Sequence, residues 1–233
     1  MKKSFKNEVS SVSLKDIIKS QDFFSSLSEE AIDLLCEITT CHIYEEGFIL
    51  HYENTQSQEL LFLVSGLARA YKIDKHDNEI FLYYIYKNSL ISEFSDINCN
   101  LIHAYSNVEI VESSQILKIN YKSFKELFLD KNLLCQSFSQ EIIKRSMQLQ
   151  ALINREFIFD AVSKVSMMLA DDLEMFNKLK RHDISLMLHI QPATLSRVLS
   201  RLKRNGIIDI IHGEVKVIDS KALIEIYKDK IND

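Results

Sequence analysis

Along one stretch of the chain, Thr194, Ser196, Arg197, Ser200, Arg201 and Arg204 interleave with Leu195, Val198, Leu199 and Leu202 at helical spacing. Hydroxyls and guanidinium forks on one side of a helix, with branched apolar groups on the other, suit a nucleic-acid duplex. An arginine fork matches guanine O6 and N7, and short side chains reach thymine methyls or phosphate oxygens. Arg197, Ser196, Ala193 and Gln191 are accordingly candidate base contacts, and Arg201 is a candidate phosphate contact. Charge agrees with this reading. From Phe176 to Asn205 seven cations stand against the single anion Asp183, a net +6 in a chain whose net charge is −5. A positive footprint confined to one stretch of an acidic protein provides for phosphate binding without indiscriminate sticking.

Such side chains are useful only if a helix holds them, and the chain's single proline says where that helix starts. Pro192 at a first helical position loses nothing, because its missing N–H has no partner there and its φ is already helical. The spacing predicts a supporting helix from about Arg181 to Leu188, a turn at His189-Ile190-Gln191, and a second helix from Pro192 to Asn205 closed by Gly206. Ile184, Met187, Leu188 and Ile190 give the first helix and the turn a buried side, so the pair reads as a helix-turn-helix. Ile207–Ile211 and Glu214–Ile218 then form a hairpin across His212-Gly213, which makes the unit a winged helix. A closing helix is expected from Ser220 to Lys228, capped by Asp219 or Ser220.

The remainder of the 233 residues reads differently. Residues up to about Ser13 are polar and expected to fray. Phe23 to Thr39 holds a short helix capped at Ser28. From Ile43 to Ile119 come short apolar runs: Phe48–His51, Glu59–Val64, Leu67–Ile73, Ile80–Tyr86, Ser89–Ile91, Val108–Val111 and Ile116–Ile119. Their spacing predicts an all-β roll, with Gly47, Gly66, Gly206 and Gly213 all at turns or element ends. From Tyr121 to about Ile158 there is neither glycine nor proline, and Phe138, Ile142, Leu149, Leu152 and Ile153 line one long helix. That stripe has two readings: an intramolecular core, or a seam with the same helix of a second subunit. The whole is an α+β chain: a sensor roll over residues 1–125, a dimerisation helix over 126–158 and a winged helix over 159–233.

From about Phe23 to its C-terminus the chain resembles the Crp/Fnr superfamily of bacterial transcription regulators. Thr194-Leu-Ser-Arg-Val-Leu-Ser-Arg-Leu202, Gly206-Ile-Ile208 and His212-Gly213 carry the resemblance; Gly47-Phe-Ile-Leu, Leu63-Val-Ser-Gly66 and Ile119-Asn-Tyr-Lys-Ser-Phe124 add to it. The resemblance implies a cyclic-nucleotide-binding-like β-roll (jelly roll), a long dimerisation helix and a winged helix. It also implies a homodimer on an inverted repeat of double-stranded DNA, with RNA polymerase as a partner. Arg181, His182, Thr194 and His212 match family positions that touch phosphate. His189 stands in the turn where glycine is usual, and Pro192-Ala193 replace an Arg-Glu pair that reads guanine and cytosine in other members.

The roll departs from cyclic-AMP-binding members in a telling way. Ser92-Glu93 stands where a Gly-Glu pair binds ribose, and Ala104-Tyr105 where an Arg-Ser pair grips the cyclic phosphate. Without that cation, charge-assisted bonds to phosphate are lost, so a signal other than cyclic AMP is expected. Glu93, His103 and Tyr105 are the candidate effector residues. Some members sense redox or nitrosative stress through haem or an iron–sulfur cluster; Cys36, Cys41, Cys99 and Cys135 equal the number a cubane cluster needs, but contain no C-x-x-C. Whether they ligate anything stays open, as do His42, His51, His76 and His103 as haem ligands. No phosphate-cradling loop, paired metal histidines or nucleophile elbow points to an enzyme. Without an apolar run long enough to span a bilayer, or an h-region after the first residues, the chain is expected to be cytoplasmic. A metabolite-binding module whose winged helix makes protein contacts is the alternative reading.

Overall fold

The computed structural model describes residues 13–94, 96 and 98–232, so the expected fraying of residues 1–12 lies outside the described residues. The chain divides into two compact units, Met1–Ser146 and Met147–Asp233.

The first unit opens with α1 (Leu14–Lys19), a 3-10 turn over Asp22–Phe24, and α2 (Glu29–Glu37). Ser28 accepts the Ala31 N–H at 3.3 Å, satisfying one of the donors that a helix start leaves open. The strands are β1 (Thr39–Tyr44), β2 (Ile49–His51), β3 (Gln56–Ser57), β4 (Glu59–Ile73), β5 (Glu79–Tyr86), β6 (Ser89–Leu90), β7 (Ile102–His103) and β8 (Asn107–Asn120). An antiparallel sheet runs β1-β8-β4-β5, with β2 also on β8 and β6 on β4, while β3 and β7 pair separately.

Two expectations change here. The separate runs on either side of Gly66 are one strand, β4, and those around Glu112–Ser114 are one strand, β8. Gly66 is therefore not at a turn. It sits at φ +93° where the register between β4 and β8 shifts, and a Cβ would lie 2.2 Å from Ser114 Oγ and 2.6 Å from the Ser113 carbonyl oxygen. The glycine marks a bulge where two backbones approach too closely for any side chain.

The expected long helix over 126–158 is also interrupted. α3 (Tyr121–Phe124) continues through a wide turn over Lys125–Leu129, the helical run ends in a turn with Asn132 at φ +60°, and α4 (Cys135–Ile153) starts afresh. Phe128 and Leu134 lie on different faces of any straight helix, yet both are buried in one core; the break brings them there. That core joins α1, the 3-10 turn and α2 to the sheet through Phe23, Phe24, Phe62 and Tyr121. Phe138 belongs to it. Its ring lies edge-on to Phe94 with centroids 4.7 Å apart, and only 6 % of the residue is exposed. Assigned to the subunit seam by its spacing, Phe138 is instead a core residue of its own roll.

The second unit takes in the end of α4 and a wide turn over Asn154–Ile158. It continues with α5 (Ala161–Asp171), α6 (Leu173–Lys178), α7 (Arg181–Met187) and α8 (Pro192–Arg204), then β9 (Ile208–Ile211), β10 (Glu214–Val217) and α9 (Ser220–Asn232). α5 and α6 are additions to the sequence reading; each begins at an aspartate cap, Asp160 on the Ser163 N–H and Asp172 on the Met175 N–H. The Asp219 carboxylate accepts the Ala222 N–H at 3.0 Å, which decides the cap of α9 in favour of Asp219.

Candidate nucleic-acid interface and roll cavity

α8 buries Leu195, Val198, Leu199 and Leu202 and leaves Ser196, Arg197, Ser200, Arg201 and Arg204 exposed. The helix starts at Pro192, as its fixed φ requires, and Gln191 is the N-cap residue but makes no side-chain capping bond. Gln191, Ala193, Ser196 and Arg197 therefore share one exposed surface at the start and along one side of α8. The Arg197 guanidinium is folded back along its own helix, where it donates to the Ala193 carbonyl and to Thr194 Oγ1, both at 3.3 Å. Those bonds are long and local, so the fork is released at small cost.

The support beneath α8 is more elaborate than the sequence pattern implied. His189 adopts φ +51°, the left-handed conformation that its place in the turn demands. Its Nδ1 lies 2.8 Å from Glu156 Oε2, and the other carboxylate oxygen of Glu156 accepts from Arg155 at 2.9 Å. Burial pulls the Glu156 pKa up, but the bonds from His189 and Arg155 outweigh it and hold the carboxyl below its ordinary value. Lys164, almost wholly buried, donates to the Leu188 carbonyl at 3.2 Å and closes the end of α7. The wing is fixed from the side: Asn177 donates to the Val215 carbonyl at 2.9 Å and accepts the Val215 N–H at 2.8 Å, as a neighbouring strand would. At the wing tip His212 and Gly213 both have positive φ, the pattern of a two-residue hairpin turn.

Among the expected phosphate contacts, His182, Arg201 and His212 are exposed and Thr194 is half-buried. Arg181 has a further task. Its guanidinium lies over the Phe176 ring at 4.8 Å and donates to the Gly213 carbonyl at 2.9 Å, so it holds the wing turn against α6 and α7. Burial lowers its pKa. Lys203 is engaged as well, paired with Asp209 on β9 at 2.8 Å.

On α4 the rest of the expected seam stands out from the protein. Ile142 is 57 % exposed, and Leu149 and Ile153 are both 46 % exposed, with Leu152 half-buried; Ile143 and Met147 join them at 59 % and 68 %.

The roll contains a cavity of about 310 Å³, walled by Tyr44, Phe48, Leu50, Tyr52, Leu61 and Ile102, with Glu93, Ala104 and Lys118 among its other lining residues. The expected effector set is only partly brought together. Side chains alternate along a strand, so Ile102 and Ala104 face the cavity while His103 and Tyr105 fall on the other side. His103 pairs with Gln56 at 2.8 Å, and Tyr105 is largely exposed. Only its backbone reaches the site: the N–H groups of Tyr105 and Ser106 donate to Glu93 Oε2 at 2.6 and 3.1 Å. The Ser106 and Tyr83 hydroxyls donate to Glu93 Oε1 at 3.2 and 3.0 Å. Four donors thus converge on one carboxylate. Burial, more than any neighbour, pushes the Tyr83 hydroxyl's pKa far up, so it is a donor throughout the neutral range.

Among the described residues no three histidine, cysteine, aspartate or glutamate side chains are placed to hold a metal ion. Cys36 and Cys41 pack against the core, and burial pushes both thiols up, away from the thiolate that a cluster needs. Cys135 is exposed and bonds Asn132. The residues present do not fit an iron–sulfur cluster. No helix among the described residues is long and apolar enough to cross a membrane.

Residues 166–226 match the Crp-like helix-turn-helix domain family. Over 213 residues the chain is 20% identical to the cyclic AMP receptor protein of Thermus thermophilus, covering 90% of this chain and 98% of that one. Among solved structures it is similar to a CooA mutant from Carboxydothermus hydrogenoformans (TM-score 0.69, 17% identity, 95% of this chain and 98% of the other). It is also similar to a Crp/Fnr-family transcriptional regulator from Eubacterium rectale (TM-score 0.64, 18% identity, 89% and 98%). Residues 166–226 thus form a Crp-like helix-turn-helix domain, and the chain as a whole has the fold of these solved structures.

Proposed function

We propose that the protein acts as a homodimer that reads an inverted repeat in double-stranded DNA through α8 and answers to a signal other than cyclic AMP. One observation carries the first part: α8 exposes Gln191, Ala193, Ser196 and Arg197 on a helix whose opposite face is wholly buried. Arg197 would supply the fork for guanine, with His182, Thr194, Arg201 and His212 as the proposed phosphate contacts. The exposed apolar face of α4 supports the dimer, since Ile142, Ile143, Met147, Leu149 and Ile153 are costly to leave in water. Contact with RNA polymerase and a cytoplasmic setting follow from the same reading.

The signal is argued from Glu93 and Ala104. A cyclic phosphate needs a cation and free N–H donors; position 104 offers a methyl group, and the neighbouring donors are already bonded to Glu93. A redox or nitrosative signal relayed by a cluster finds no ligand set among the described residues. Selection from a random duplex library tests the DNA reading. An enriched inverted repeat, with half-sites about one helical turn apart, is expected; equal affinity for enriched and scrambled duplexes would refute it and favour a winged helix used for protein contacts. Calorimetry with cyclic AMP tests the other half, and saturable micromolar binding would overturn it.

A further inference from the structure

We propose that the roll cavity binds a small aromatic compound without negative charge, an arylalkylamine in preference to an alcohol and an alcohol in preference to an acid. The inference rests on the roll being the sensing part of the regulator described above, and it names the chemistry of what the roll senses.

Three observations lead there. The wall is aromatic and apolar: the Tyr44 and Phe48 rings are tilted by 39° with centroids 4.7 Å apart, and Leu50, Tyr52, Leu61 and Ile102 complete the surface. A cavity of about 310 Å³ lies at the small end of ligand pockets and suits one compact ring system rather than a macrocycle. The lining charges are Glu59, Glu93 and Lys118, and Lys118 is paired with Glu59 at 2.8 Å, which leaves Glu93 as the net charge. Burial holds the His51 imidazole below its usual pKa, so it adds no positive charge at neutral pH.

Glu93 also acts on its surroundings. Adjacent backbone N–H groups with a hydroxyl beside them form an anion nest, and here the chain's own carboxylate fills it. An anionic ligand would meet a negative group where it needs donors, and a cation already neutralised where it needs charge. An amine meets the opposite conditions: a net negative lining and aromatic faces that attract cations.

The protein contains no tryptophan, so indole fluorescence reports on ligand alone. Titrating tryptamine, tryptophol and indole-3-acetate against the full chain compares a cation, a neutral compound and an anion built on one ring. Tryptamine should bind saturably and several-fold more tightly than tryptophol, with indole-3-acetate weakest. Ala104→Leu, which narrows the cavity, should weaken the first two; Lys118→Gln, on a partly exposed strand residue, should leave tryptamine binding intact or tighten it. Indole-3-acetate binding as tightly as tryptamine would overturn the proposal. Absence of saturable binding by all three at millimolar concentration would do the same, as would tryptamine binding unchanged by Ala104→Leu in a variant that melts cooperatively. Because no DNA is present, a chain that binds tryptamine yet retards no duplex would refute the regulator and leave the cavity assignment standing.

Discussion

Arg197 on α8 and Arg181 on α7 have the same charge, but they should fail differently when removed. Arg197→Ala should cost about 1–3 kcal/mol per half-site on the selected duplex and relax preference at one base, with little change on scrambled DNA. Arg181→Ala removes the bond to Gly213 and the stacking on Phe176, so it should lower affinity for both duplexes and also lower the melting temperature, through a displaced wing. Competition binding with a parallel melting curve separates the two; equal losses on both duplexes for Arg197→Ala would mark it as a phosphate contact. The Glu156–His189 pair gives a stability readout. Because the folded Glu156 carboxyl lies below its ordinary pKa, its contribution is present above the unfolded carboxylate's pKa and is lost as pH falls through the folded value. Glu156→Gln should therefore melt earlier than the parent at neutral pH, and the difference should close on acidification below the carboxylate range. A gap that persists in acid would assign it to packing.

At the level of elements, α4 serves two surfaces. Phe138→Ala removes a ring from the roll core and should cost about 3–5 kcal/mol without changing the subunit count. Replacing Ile142 and Leu149 together by aspartate should give folded monomers, because these residues are exposed within one chain and the added charges oppose only an intersubunit seam. Sedimentation of both variants distinguishes the two surfaces, and a parent chain that is monomeric at micromolar concentration would refute the seam. This element also shows what a sequence discloses. Periodicity identified the apolar residues of α4, but a residue facing its own core and one facing a partner have the same spacing; Phe94, far away in the chain, decided the case of Phe138. α7, α8 and the wing were legible nearly to the residue because proline, glycine and apolar spacing act locally there. β1 and the unbroken lengths of β4 and β8 were hidden, since Gly66 signals a close approach as readily as a turn. Of the three residues expected at the effector site, Glu93 lines the cavity, while the side chains of His103 and Tyr105 do not, a difference of one step in strand alternation.

For the whole molecule, charge is distributed so that the winged helix carries the positive footprint and the rest of the chain is acidic. Binding should weaken steeply with salt, and Arg201→Ala should reduce the slope of log affinity against log salt by about 1 per half-site, with base preference unchanged. An unchanged slope would remove Arg201 from the phosphate contacts. The four donors gathered on Glu93 have a consequence of another kind, for redesign of the roll. Placing arginine at Ala104 would restore the missing cation, but its nearest counter-ion would be Glu93 itself, and the two would form an internal pair before any nucleotide arrived. Giving up the carboxylate first would leave two backbone N–H groups unmet. Neither single substitution builds a phosphate grip, so a nucleotide site could be put into this roll only by exchanging both residues together.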